Sequence, residues 1–268
     1  MIFSFLTLAS LLPSVIAQSS SSFDVSAQCQ SSLVSIASST EGQCLNSAGI
    51  APIFFAGSNT SLIGPFQSWL TGLCSKDPCT NQTLATLVAN ITQGCSSDLS
   101  SLGINHSNVS SITASVQEYY PVVRQIACLK DNNANQLCLI EELYDVQNVT
   151  GTLSADNIFS LFPKLIAVGL PALGLPQNVT CSNCTKEAYN IIITESPQAI
   201  TSDENSTLSK QCGSDFLDGK SPASISQTAA GSDLSNTNGD SNIALRPLRL
   251  RGAPTSLIGL AVFLAALL

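Results

Sequence analysis

The sequence predicts an all-α fold: a disulfide-stabilised bundle of about seven or eight short helices, followed by a disordered C-terminal stalk. Three observations carry that prediction. Apolar residues recur at helical spacing in window after window, and the alternating runs that mark strands are scarce. Ten cysteines lie between residues 29 and 212. A segment of that length can close one sizeable core unaided, so cross-links there serve endurance more than folding.

In chain order, residues 1–17 come first and read as a signal peptide. Residues 2–16 are uncharged and run into Val15-Ile16-Ala17, the small or branched pattern a signal peptidase accepts. The apolar run is shorter than the ~20 residues of a bilayer-spanning helix, which favours cleavage over a retained anchor. A cysteine-rich helical domain is expected over residues 18–218. Within it, short helices are expected at 24–38 and 60–73. Over residues 80–95 a stripe forms from Leu84, Leu87, Val88, Ile91 and Cys95, and Asn90 falls about 110° away from it. Over residues 108–128 the stripe is Val109, Ile112, Val116, Tyr119, Val123 and Ile126, with Pro121 placed to kink or divide the helix.

Further helices are expected at 135–147, 155–167 and 203–211, and Cys181, Cys184, Ala188, Ile191 and Ile192 form another stripe. The apolar stretch 158–175, with Lys164 as its one charge, reads as a central core helix or as the lining of an apolar cavity. Residues 219–242 are rich in Ser, Asn, Asp, Gly and Ala and lack aromatics, the composition of a flexible stalk.

Residues 243–268 read as the propeptide of a glycosylphosphatidylinositol (GPI) anchor. The run 257–268 is uncharged but covers only ~18 Å as a helix, short of a ~30 Å hydrocarbon core. It cannot be lengthened upstream, because Arg246, Arg249 and Arg251 would be costly at bilayer depth. Small polar residues, a spacer and a short apolar tail fit a GPI signal instead. The candidate attachment residues are Asn242, with Ala244 two positions on, and Asn238, followed by Gly239 and Asp240.

In an exported chain, an even cysteine count predicts five disulfides among Cys29, Cys44, Cys74, Cys79, Cys95, Cys128, Cys138, Cys181, Cys184 and Cys212. Their connectivity stays open, although Cys74/Cys79 and Cys128/Cys138 are close enough for local loops. Glycosylation sequons stand at Asn59, Asn81, Asn90, Asn105, Asn108, Asn148, Asn178, Asn183 and Asn205, more than chance supplies. The Asn183 sequon contains Cys184, whose disulfide competes with glycan transfer for the same backbone. With both ends removed, seven basic side chains face eighteen acidic ones. That balance excludes nucleic acid and anionic headgroups as partners.

Catalytic chemistry lacks its parts. Cys181-x-x-Cys184 has no preceding strand pattern and reads as structural rather than redox-active. His106, the one histidine, sits between the Asn105 and Asn108 sequons, where a catalytic base has no cleft. One CxxC and one histidine do not make a zinc set. Glu141-Glu142 and Asp203-Glu204 are neighbours in sequence, so on a helix their side chains diverge, and the second pair suits a helix start. Trp69, in Phe66-x-x-Trp69-Leu70, reads as core. No catalytic, cofactor-binding or metal residue is assigned, and the chain is expected not to be an enzyme.

Three cysteine-centred motifs remain. They are Cys128-Leu129-Lys130-Asp131 with Asn135-Gln136-Leu137-Cys138, Cys181-x-x-Cys184 followed by Ala188-Tyr189-Asn190-Ile191, and Gln211-Cys212-Gly213-x-x-Phe216-x-Asp218-Gly219-x-x-Pro222. Together they resemble a lineage of secreted, cysteine-rich, often GPI-anchored surface proteins of mushroom-forming (basidiomycete) fungi, over most of residues 24–228. The resemblance implies a helical surface protein and brings no catalytic residues. The expected role is a non-catalytic glycoprotein with a structural or adhesive task on the outer face of the plasma membrane. It would be held there by a GPI lipid, in reach of cell-wall glycans or transferred to the wall. The alternative is an extracellular binding module holding a lipid or other apolar small ligand between its helices.

Overall fold

The computed structural model describes residues 26–54, 56–57, 59–101, 109–154, 157 and 176–231. The expected signal peptide, the GPI propeptide with Asn238 and Asn242, the 102–108 stretch with Asn105, His106 and Asn108, and the apolar stretch 158–175 lie outside these residues.

The fold is mostly helical, as expected. Seven helices of eleven residues or more stand among the described residues: α1 (Ala27–Ala37), α3 (Ile63–Cys74), α4 (Asn81–Gly94), α6 (Val109–Ala127), α7 (Cys138–Thr150), α9 (Asn183–Glu195) and α10 (Ser202–Cys212). Short turns α2 (Ala51–Phe54), α5 (Ser96–Ser101) and α8 (Gln177–Thr180) join them. None of these helices is long and apolar enough to cross a membrane.

Hydroxyl side chains start several helices by satisfying backbone N–H groups that have no helical partner. Ser26 accepts from Cys29 N, Thr80 from Thr83 N and Ser182 from Thr185 N. Thr201 and Glu204 form a reciprocal capping box on α10, so the Asp203-Glu204 pair does mark a helix start. Asp98 draws the first turn of α1 against α5. It accepts from Ser26 N at 2.8 Å and Ser26 Oγ at 2.7 Å. The Ser26 hydroxyl bond is the main reason its carboxyl is held below the usual range.

The central core gathers Ile63, Trp69, Leu70 and Leu73 of α3 with Ile50, Ala127, Cys128, Ile140, Leu153 and Ala229. Trp69 is buried, and its Nε1 donates to Leu45 O at 2.9 Å. A Cβ at Gly72 would stand 2.1 Å from Asn46 Nδ2, so α3 needs glycine to pass this side chain. A second cluster joins Leu84 and Val88 of α4 to Val116 and Tyr120 of α6. The stripe predicted for α4 is the buried one, and Asn90 is exposed.

Helix α6 departs from expectation twice. It runs unbroken through Pro121. The ring is exposed, so the Gln117 carbonyl that loses its helical donor lies on the wet side. Its buried residues are Val116, Tyr120, Val122, Arg124 and Ala127, while Tyr119, Val123 and Ile126 are only half-buried. Arg124 is admitted because backbone carbonyls receive it. Nη1 donates to Leu73 O at 3.0 Å, and Nη2 donates to Lys76 O and, at 3.1 Å, to Ala230 O. The guanidinium thus caps the last turn of α3, where cations are favoured.

A small antiparallel sheet was not expected. Strand β1 (Leu129–Asp131) lies between β2 (Gln136–Leu137) and β3 (Ile225–Gln227), with Lys130 opposite Leu137 and Ser226. Strands of two or three residues are too short to leave an alternating pattern. Residues 219–231 therefore correct the expected start of the stalk at 219. Beyond β3, Thr228 N donates to Cys128 O at 3.0 Å, Ala230 N donates to Cys74 O at 2.8 Å, and Ala229 is buried.

All ten cysteines are paired: Cys29–Cys95, Cys44–Cys79, Cys74–Cys128, Cys138–Cys184 and Cys181–Cys212. The local loops considered for Cys74/Cys79 and Cys128/Cys138 do not form. Cys74 ends α3, Cys138 begins α7, and Cys79 and Cys128 lie just outside α4 and α6; each pairs with a distant segment, and every bridge spans at least 31 residues. Five disulfides mark an extracellular or secreted protein.

Candidate functional site

The strongest concentration of chemistry-bearing side chains lies where the β1–β2 hairpin meets the first turns of α7 and α9. The hairpin turns at Asn135, which adopts φ 53°. This reversal delivers Cys138 directly into the start of α7. The Cys138–Cys184 bond then ties that residue to the first turn of α9, and both cysteines are buried.

Glu141 and Glu142 stand one turn further along α7 and diverge, as their adjacency requires. Glu141 turns toward β1. Its carboxylate, the Asp131 carboxylate and Cys184 Sγ all lie within 4.8 Å of one another. Burial, then the negative charges of Asp131 and Asp145, push its carboxyl above the usual range. Glu142 turns toward the start of α9, where it accepts from Ser182 Oγ and, at 3.3 Å, from Thr185 Oγ1. Burial raises its carboxyl as well. The two hydroxyl bonds oppose that rise, while Asp145 and Glu141 add to it. Ser182 thus caps α9 with its oxygen while giving its proton to Glu142.

This arrangement brings the carboxylates of Asp131 and Glu141 within 4.8 Å of each other, and the pair is what sequence reading missed. Asp131 and Glu141 are ten positions apart and on different elements, and only the hairpin and the Cys138–Cys184 bond bring them together. As a metal centre the cluster is incomplete. Cys184 is a disulfide sulfur and not a thiolate, which leaves two carboxylates where zinc takes four ligands and calcium six to eight oxygens. Ser182 has a carboxylate neighbour but, among the described residues, no base relay of the kind that activates a serine nucleophile.

The other residues singled out in the sequence fall as follows. Cys181 and Cys184 face different partners, so the CxxC is two halves of two bridges. Of the described sequons, Asn59, Asn81, Asn90, Asn148, Asn178 and Asn183 are exposed and Asn205 is half-buried. Asn183 Nδ2 donates to Ser224 Oγ at 3.3 Å, and Asn205 Oδ1 accepts from Tyr189 at 2.8 Å.

Residues 53–221 match the model of a family described as a domain of unknown function (DUF7729). No curated protein and no solved structure gives a significant match.

Proposed function

The chain belongs to the DUF7729 family, and on that footing we propose that it is a non-catalytic glycoprotein of the cell surface, with a structural or adhesive role. The observation that carries this reading is where the sequons fall. Six of the seven described sequon asparagines project from the surface of a domain whose cysteines are all paired. A coat of glycans on a cross-linked helical core suits a part that must last outside the cell. The tail composition supports the finer reading, in which a GPI lipid holds the domain on the outer leaflet and cell-wall glycans are its neighbours. The cysteine motifs point to the surface proteins of mushroom-forming fungi as its setting.

The test is made on intact cells. Phosphatidylinositol-specific phospholipase should release the protein, and enzymatic deglycosylation should then lower its apparent mass by several kDa. A mature protein that still carries residues 257–268, or that migrates at its polypeptide mass before deglycosylation, would defeat the reading. Against a catalytic role, the purified domain should turn over none of a panel of cell-wall glycans, esters and peptides. Turnover lost on Glu141→Gln or Glu142→Gln would overturn that part and name the site.

A further inference from the structure

The five disulfides differ in their shielding. In Cys29–Cys95, Cys74–Cys128 and Cys138–Cys184 both residues are buried, and in Cys44–Cys79 one of them is. In Cys181–Cys212 both are only half-buried. Thiol–disulfide exchange requires an attacking thiolate to reach a sulfur, so this bond is the most accessible of the five.

What the bond holds is also distinct. Helix α10 contributes no buried residue. Its sequence, SDENSTLSKQC, offers Leu208 as its one aliphatic side chain, and an isolated helix of eleven residues is marginal in water. Its remaining ties are polar: Tyr189 donates to Asn205, Gln211 Nε2 donates to Thr180 Oγ1 at 2.8 Å, and Gln177 donates to Gln211 O. Beyond α10 the chain is fixed again. Phe216 is buried beside Tyr189, with ring centroids 6.4 Å apart, and Asp218 pairs with Lys186 at 2.7 Å.

We propose that Cys181–Cys212 is a reducible clasp: an extracellular dithiol opens it selectively, freeing α10 while the rest of the fold stays closed. The incoming thiolate attacks Cys212 Sγ, the S–S bond breaks, and its electron pair leaves on Cys181. The second thiol of the dithiol loses its proton and attacks the mixed disulfide. Cys212 is then released as a thiolate and the reductant closes into its own cyclic disulfide. Two electrons pass from the dithiol to the bond. Gly213, at φ 84°, and Phe216 bound the freed segment on its C-terminal side.

The experiment uses the secreted glycoprotein under native conditions with graded dithiothreitol. Exposed thiols are alkylated, each cysteine is quantified by mass spectrometry, and hydrogen exchange is followed in parallel. Cys181 and Cys212 should be labelled at least ~10-fold faster than any other cysteine. The amides of residues 202–212 should lose protection while those of α9 keep theirs. Label reaching Cys44 and Cys79 first, or all ten cysteines together, would overturn the proposal, as would selective labelling with α10 still protected. The double variant Cys181→Ser/Cys212→Ser should show the loosened α10 without reductant. An undiminished α10 in that variant would likewise refute the clasp.

Discussion

Arg124 offers the sharpest test of the physical account. The residue is 5% exposed and, among the described residues, its guanidinium has no carboxylate partner, because the ion pairs there join Asp218 to Lys186 and Lys220. Three carbonyls from two segments, the C-terminal end of α3 and the stretch after β3, receive it instead. Arg124→Met keeps the length and apolar stem but withdraws every donor. The bond to Leu73 O is fully buried; Lys76 N also donates to that oxygen at 3.1 Å, so what is lost is a charge-assisted bond, about 1.5–3 kcal/mol, and not the acceptor's only partner. The bonds to Lys76 O and Ala230 O are partly exposed, so water can replace the donor and each contributes nearer ~0.5–1.5 kcal/mol. Relief from burying a charge offsets part of this loss. The expected net loss is about 2–4 kcal/mol. In a domain of this size that is a fall in Tm of roughly 4–16 °C. Arg124→Lys should recover only part, since an ammonium cannot span three divergent carbonyls as a planar fork does. Urea unfolding of the three proteins, followed by circular dichroism with all disulfides intact, gives the comparison. A methionine variant within ~0.5 kcal/mol of the parent would show that the carbonyls never depended on this cation.

Acidification provides a second test. Burial lifts Glu141 and Glu142 above their ordinary 4.5, so the folded state binds these protons more tightly than the unfolded chain. Their contribution therefore falls as pH rises above 4.5 and is recovered on acidification. Asp98 and Asp218 are held below 3.8, and their contribution is lost as pH falls through their folded values. Tm should rise as pH falls from neutral towards 4.5 and drop as it falls below 3.8, and Glu141→Gln/Glu142→Gln should flatten the first limb; an unchanged limb would refute the assignment. Pro121→Ala restores the donor to Gln117 O at an exposed helix position and should raise Tm, since proline costs up to ~3 kcal/mol there; a lower Tm would mean that the proline suits the helix as it stands. Removing Cys29–Cys95 by paired serine substitution frees a loop of 66 residues and should cost about 4 kcal/mol in denaturant unfolding, and a loss under ~1 kcal/mol would refute the loop-entropy reasoning.

The sequence was most readable where burial follows a helical period and local chemistry sets the ends. Leu84, Leu87, Val88 and Ile91 announced the inner face of α4, and Asp203-Glu204 announced the start of α10. Trp69 declared itself core by its apolar neighbours. On α6 the same logic failed because the innermost line passes through Arg124. The apolar stripe left Arg124 out, and the carbonyls that receive it come from residues 73, 76 and 230. The three strands left no periodicity to read. Disulfide partners and the Asp131–Glu141 approach are set by how distant elements pack, which no spacing records. Composition also misjudged residues 219–231, since backbone pairing to β1 asks little of side chains.

The return of residues 225–230 onto β1 and α3 has a mechanical consequence. Load applied at residue 231 enters the domain at this strap and not through α10 or the N-terminal helices. It peels the bonds of Ala230, Thr228 and β3 in turn, each loaded singly, and then draws out Phe216. Unravelling stops at Cys212, because the bridge to Cys181 diverts tension into covalent bonds. The slack released is roughly 19 residues, about 65 Å at full extension. The strap is thus a fuse of fixed length: a sudden pull spends its work on a short peripheral strand, and the cross-linked core behind it keeps its shape.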